Sequence, residues 1–91
     1  MPNPITTSGL QGGDVATDHQ PGQTTQQWVA DHDTAIEAAG PKGDKLTTTW
    51  TSASGAQSTE TTRLPDEDDE HFLARHEAAY FRAMGTEPPI P

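Results

Sequence analysis

Cysteine is absent from this 91-residue chain. Its absence excludes disulfides, thiol catalysis and cysteine-ligated zinc together. Large apolar side chains are scarce. Leu, Ile, Val and Phe number 11, about 12% of the residues, and a charged chain below roughly 20% tends toward disorder. Basic residues are few as well. Five Lys and Arg stand against 14 Asp and Glu, a formal charge of −9. Such a surface repels nucleic acid and anionic membranes, so neither is an expected partner. No apolar run approaches the ~20 residues of a membrane span. The start, Met1-Pro2-Asn3-Pro4, lacks the basic and apolar regions of a signal peptide. A cytoplasmic protein is the expectation. No P-loop, Gly-x-Gly-x-x-Gly, Gly-x-Ser-x-Gly or Ser/His/Asp order is visible. Neither an enzyme nor a cofactor is expected.

Any core must therefore rest on Trp28, Trp50, Phe72, Tyr80, Phe81, a few aliphatics and many alanines. At about 25 cal/mol per Å2 of apolar area, such a core leaves only a few kcal/mol of net stability. A chain this marginal gains from a second copy that covers an open face, so a homodimer is expected.

What is present is a pattern written twice. Trp28-Val29-Ala30-Asp31-His32-Asp33-Thr34-Ala35-Ile36 and Phe72-Leu73-Ala74-Arg75-His76-Glu77-Ala78-Ala79-Tyr80 share an order of residue types at an offset of 44. Identities also fall at Thr7/Thr51, Ser8/Ser52, Thr17/Thr61, Pro21/Pro65 and Ala39/Ala83. One domain of two halves follows. The first repeat covers about 3–40, a polar link 41–45, the second repeat about 46–84, and a proline-rich tail 85–91.

The expected fold is α+β, a tandem ββα-ββα unit with an antiparallel sheet and both helices on one face. If the first hairpin is disordered, αββα remains. Thr24-Thr25-Gln26-Gln27 reads as a capping box, and Gly40-Pro41 closes that helix. Leu46–Thr51 and Ser58–Arg63 read as a hairpin around Ala53-Ser54-Gly55-Ala56. Alternation sets Leu46, Thr48 and Trp50 toward the helices and Thr47, Thr49 and Thr51 away from them. Asp66–Glu70 suits the start of the second helix, where one carboxylate caps and the others meet the positive end of the dipole. Gly85 is expected to end that helix.

The candidate site residues follow from the pattern. His32 and His76 sit at equivalent places on the two apolar stripes. They are the candidates for a metal or pH-sensitive pair. Zinc would need further ligands, and only carboxylates are on offer, so a structural role, each ring partly buried and bonded to a strand threonine or a backbone carbonyl, is the preferred reading and no metal is expected. Asp31 and Arg75, equivalent and of opposite charge, read as two solvated helix residues, with an ion pair between the helices as the sharper alternative. The acidic run lacks EF-hand spacing, so calcium is not expected. Thr47, Thr49, Thr51, Thr59 and Thr61 form the candidate interaction surface, a row of strand hydroxyls.

The stretch Thr47-Thr48-Thr49-Trp50-Thr51-Ser52-Ala53-Ser54-Gly55, followed by Ala74-Arg75-His76 and a Pro-Pro tail, resembles small uncharacterised bacterial proteins. In those, a Thr-Trp-Thr hairpin precedes an Ala-Arg-His helix, sometimes in tandem. The resemblance covers about half the chain and implies no activity. The first copy departs from it, with Thr6 in place of Trp50 and Asp31 in place of Arg75. The expected function is a non-enzymatic protein-binding or assembly module, dimeric through its sheet. The alternative is an acidic inhibitor or nucleic-acid mimic that occupies a basic site on another protein.

Overall fold

The chain follows the order β1 (Ile5–Ser8), β2 (Val15–Thr17), α1 (Thr25–Ala39), β3 (Lys45–Ser52), β4 (Gly55–Thr62) and α2 (Asp69–Thr86). This is a computed structural model, and it describes residues 3–91. Met1 and Pro2, half of the stretch read above for a signal peptide, lie outside the described residues. The class is α+β, with one four-stranded antiparallel sheet in the order β2-β1-β3-β4 and two helices. The radius of gyration is 12.6 Å, close to the ~12 Å of a folded chain this long. No described helix is long and apolar enough to cross a membrane.

Each helix begins as its residues dictate. At α1 the Thr24 hydroxyl accepts from the Gln27 N–H at 3.1 Å, and Gln27 Oε1 accepts from the Thr24 N–H at 2.9 Å. The reciprocal bonds satisfy two donors that a helix start leaves free. Asp68 caps α2 by accepting from the His71 N–H at 2.8 Å. The buried stripes are Trp28, His32 and Ile36 on α1, and Phe72, Leu73, His76, Tyr80 and Met84 on α2. Helix α2 runs past Gly85, which was expected to end it, and stops after Thr86. Gly85 keeps a negative φ there, and Pro88-Pro89 ends the helix because proline has no N–H to continue it.

Both hairpins form, so the αββα alternative does not apply. The second hairpin is tighter than expected. Ser52 pairs with Gly55, leaving Ala53-Ser54 alone as the turn and eight residues in each strand. Leu46, Thr48 and Trp50 are buried under the helices, while Thr49 is exposed on the opposite, open face. One equivalence between the halves differs from expectation. The offset of 44 made Thr7 equivalent to Thr51, but the residue that bonds a helix histidine Nε2 in the second half as Thr7 does in the first is Thr48. The reason lies in hairpin length. Ile5 pairs with Thr17, whereas Leu46 pairs with Thr61, so the second hairpin is three residues longer.

Gly9 locks the first hairpin to the chain that follows α1. Its φ is 90°, and a Cβ there would meet the Lys45 carbonyl oxygen at 2.1 Å. Only glycine tolerates both conditions. The close approach lets Lys42 N–H donate to the Gly9 carbonyl at 2.8 Å and brings Leu10 against Pro41.

Candidate functional site

The centre of the molecule is polar. His32 on α1 and His76 on α2 point at the same sheet face, and both are fully buried. His32 Nδ1 lies 2.9 Å from Thr17 Oγ1, and its Nε2 lies 2.7 Å from Thr7 Oγ1. His76 Nδ1 lies 2.9 Å from Thr61 Oγ1, and its Nε2 lies 2.7 Å from Thr48 Oγ1. The two sets join through Thr7 and Thr48, whose hydroxyl oxygens are 2.7 Å apart. The result is one hydrogen-bonded chain, Thr17–His32–Thr7–Thr48–His76–Thr61. Among the described residues no buried side-chain polar atom lacks a partner.

The two halves of this chain match in residue type, but their protons cannot match. Only one proton serves the link between Thr7 and Thr48. If Thr7 donates there, Thr48 donates to His76 Nε2, and His76 Nδ1–H donates to Thr61. Thr7 must then accept from His32 Nε2–H, and His32 Nδ1 accepts from Thr17. The reverse polarity satisfies the same bonds. In both, the histidines hold opposite tautomers. Two Nε2–H rings would leave one threonine proton without an acceptor, and two Nδ1–H rings would leave the 2.7 Å oxygen pair with no proton between them. Long-range nitrogen–proton NMR at neutral pH is therefore expected to find one ring protonated on Nδ1 and the other on Nε2. Both rings in the same tautomer would contradict the chain.

Burial holds both imidazoles neutral. It pushes His32 down to about 4, with Asp33 opposing the fall and His76 adding to it. It pushes His76 down to about 4 as well. Tyr80 packs against both rings, with centroids 6.3 Å from His32 and 5.5 Å from His76. Its hydroxyl donates to Asp33 Oδ1 at 2.6 Å. Burial, with that hydrogen bond, pushes the phenol well above its ordinary range.

The arrangement places each expected site residue. All four ring nitrogens of His32 and His76 are engaged by threonines, so neither ring offers a free nitrogen to a metal. Asp31 and Arg75 do not meet. Asp31 accepts from Gln23 Nε2 at 2.5 Å, and Arg75 grips both oxygens of Glu67 at 2.6 and 2.8 Å. Thr47, Thr49 and Thr51 lie on the open face. Thr59 and Thr61 do not join them. They pair with Thr48 and Leu46 on the helix-covered face, and Thr61 is bonded to His76, which corrects their assignment to an exposed surface.

Two features were not foreseen. Glu67 was read only as one of the carboxylates at the start of α2. Its side chain is instead nearly enclosed at 2% exposure, and it accepts from the Leu64 N–H and Arg75. The Arg75 guanidinium holds the Glu67 carboxyl down to about 2. The second feature is a trio of carboxylates between the helices. Asp33, Glu37 and Glu77 each bring an oxygen within 4.8 Å of the others. Burial, with hydrogen bonding to Asp33 and Glu37 and repulsion from both, pushes Glu77 up to about 9. Oxygen trios of this kind suit hard cations, and they are also common without one. The signal was present as acids at i and i+4 on α1, but only the crossing of α2 brings in Glu77.

No protein-family model, curated protein or solved structure matches the chain significantly.

Proposed function

We propose that this chain is a non-enzymatic binding and assembly module, a tandem ββα unit that pairs with a second copy along β4. The observation that carries the proposal is the state of that strand. β4 is eight residues long and lies at the edge of the sheet. Its pairing with β3 is continuous from Gly55 to Thr62, with no bulge and no proline. Its only charge, Glu60, lies 3.8 Å from Lys45 Nζ. Edge strands that stay unpaired usually carry a proline, a bulge or an inward charge. An antiparallel pairing of β4 with its own copy would extend the sheet to twice its width and satisfy its free backbone groups. The hydroxyl row of Thr47, Thr49 and Thr51 would flank that seam.

The tandem reading is supported by the matched hydrogen bonds. Thr7, Thr17 and His32 repeat as Thr48, Thr61 and His76. A structural role for the histidines, rather than a catalytic one, is supported by the engagement of every ring nitrogen.

Sedimentation velocity at high micromolar concentration tests the assembly. The wild-type chain is expected to sediment as a dimer. Ser58→Lys, near the middle of β4, sets two lysines against each other across the seam and is expected to yield a monomer. A wild-type monomer at that concentration would defeat the proposal.

A further inference from the structure

The groove between α1 and α2 has two ends built from equivalent positions. At one end, the start of α1 faces the end of α2 around a hollow of about 830 Å3. At the other, the end of α1 faces the start of α2 around a hollow of about 460 Å3. Some lining positions 44 residues apart keep their character, as Val29 and Leu73 do. Others have diverged in one direction. Gln26 at the first end becomes Glu70 at the second, and Phe81 at the first becomes Glu37 at the second. The first end is apolar and the second is acidic. Asp33, Glu37 and Glu77 mark the crossing between them.

The apolar end is unusual for this composition. The chain has only two phenylalanines. It leaves one of them, Phe81, 44% exposed at the groove. That ring lies edge-on to Tyr80, with centroids 4.7 Å apart. An exposed aromatic beside a concave apolar hollow is the usual anchor of a protein contact.

Charge decides the occupant. A second copy seated here would bring the same groove carboxylates, Glu37, Glu70 and Glu77, and acid facing acid repels. A cationic partner gains on approach and relieves the crowding of Asp33, Glu37 and Glu77. We infer that the α1/α2 groove receives a cationic amphipathic helix of another protein, its apolar end seated beside Phe81 and its basic end against Glu37 and Glu70. Helix-in-groove recognition is a common mode for such a surface. The surface is separate from the β4 edge, and this inference holds whether or not copies pair there.

The test is a titration of isotope-labelled protein with synthetic helical peptides of about 14 residues, roughly 21 Å long. One peptide carries leucines toward the end that meets Phe81 and lysines toward the other. A second has the same composition with the two blocks exchanged, and a third is oligolysine. The first peptide is expected to shift the amides of Val29, Ala30 and Phe81, and to bind tighter than the other two. Phe81→Ser and, separately, the pair Glu37→Gln/Glu70→Gln are each expected to weaken it by about tenfold. Both changes lie at exposed positions, and melting curves check that the variants fold. Equal binding of the exchanged peptide or of oligolysine would overturn the inference, as would shifts confined to β4 or no binding at all. Groove shifts that grow with protein concentration alone would give the site to a second copy and overturn it too. Saturation by magnesium or calcium that the peptide cannot displace would do the same. Sedimentation reads the edge and this titration reads the groove, so either proposal can fail alone.

Discussion

Replacing Thr48 with valine is expected to cost about 3 kcal/mol of stability, although the two side chains are close in volume. The Thr48 hydroxyl lies 2.7 Å from Thr7 Oγ1 and 2.7 Å from His76 Nε2, and all three residues are fully buried. Valine removes the hydroxyl and strands both partners. Each stranded group costs about 1–3 kcal/mol where water cannot replace the lost bond. Thr49→Val, one residue along on the open face, is expected to change stability by about 0.5 kcal/mol or less. Thr17→Val should fall between them, because it strands only His32 Nδ1 beside a half-buried position. With a net stability of only a few kcal/mol to begin with, Thr48→Val leaves a large unfolded fraction. Urea denaturation followed by tryptophan fluorescence measures all three, since Trp28 and Trp50 are both buried. Equal midpoints for Thr48→Val and Thr49→Val would mean that the polar chain does not hold the core together.

Mild acid is expected to destabilise the protein between pH 6.5 and 4. In the unfolded chain both imidazoles take up a proton near 6.5, whereas in the fold burial delays this to about 4. Below 6.5 the unfolded chain therefore binds more protons than the native one, and each further proton favours unfolding. Each histidine withdraws up to about 1.36 kcal/mol per pH unit across that window. Together they withdraw about 6 kcal/mol by pH 4, part of which Glu77 returns over the same range. Glu77 acts in the opposite sense. Its raised pKa means that the fold keeps a proton which the unfolded chain releases above 4.5, so its contribution declines as pH rises toward 9. Glu67, held at about 2, contributes stability that is lost only as pH falls below 4.5 toward 2. The optimum is thus expected near pH 6.5 to 7. Urea midpoints measured from pH 8 to pH 4.5 would show it, and a flat profile between pH 7 and 4.5 would contradict buried neutral histidines.

Much of the frame was legible in residues with a local physical reason. Thr24 with Gln27 and Asp68 before α2 state where the helices begin. The alternation of Leu46, Thr48 and Trp50 states which side of β3 is covered. The histidines could be placed on the apolar stripes, with a strand threonine or a backbone carbonyl as partner. The partner Thr7 could not be found, because one offset cannot hold on both sides of hairpins that differ in length by three residues. Glu67 was hidden by its neighbours, since a run of acids looks uniformly solvated until an arginine two helical turns on reaches back to one of them. The groove was hidden as well. Phe81 reads as core by composition, and only the antiparallel crossing of the helices leaves it at the surface beside Met84 and Pro88.

The pairing of Thr7 with Thr48 carries a consequence about symmetry. If the two halves descend from one ββα segment that once assembled with its own copy, the two-fold axis ran through this pair of hydroxyls. A single proton cannot belong equally to two oxygens 2.7 Å apart in an ordinary hydrogen bond. Such an ancestral pair, identical in every residue, would have held two subunits that differ at any instant and exchange roles as the protons move. Joining them into one chain would let each half's own sequence favour one of the two polarities.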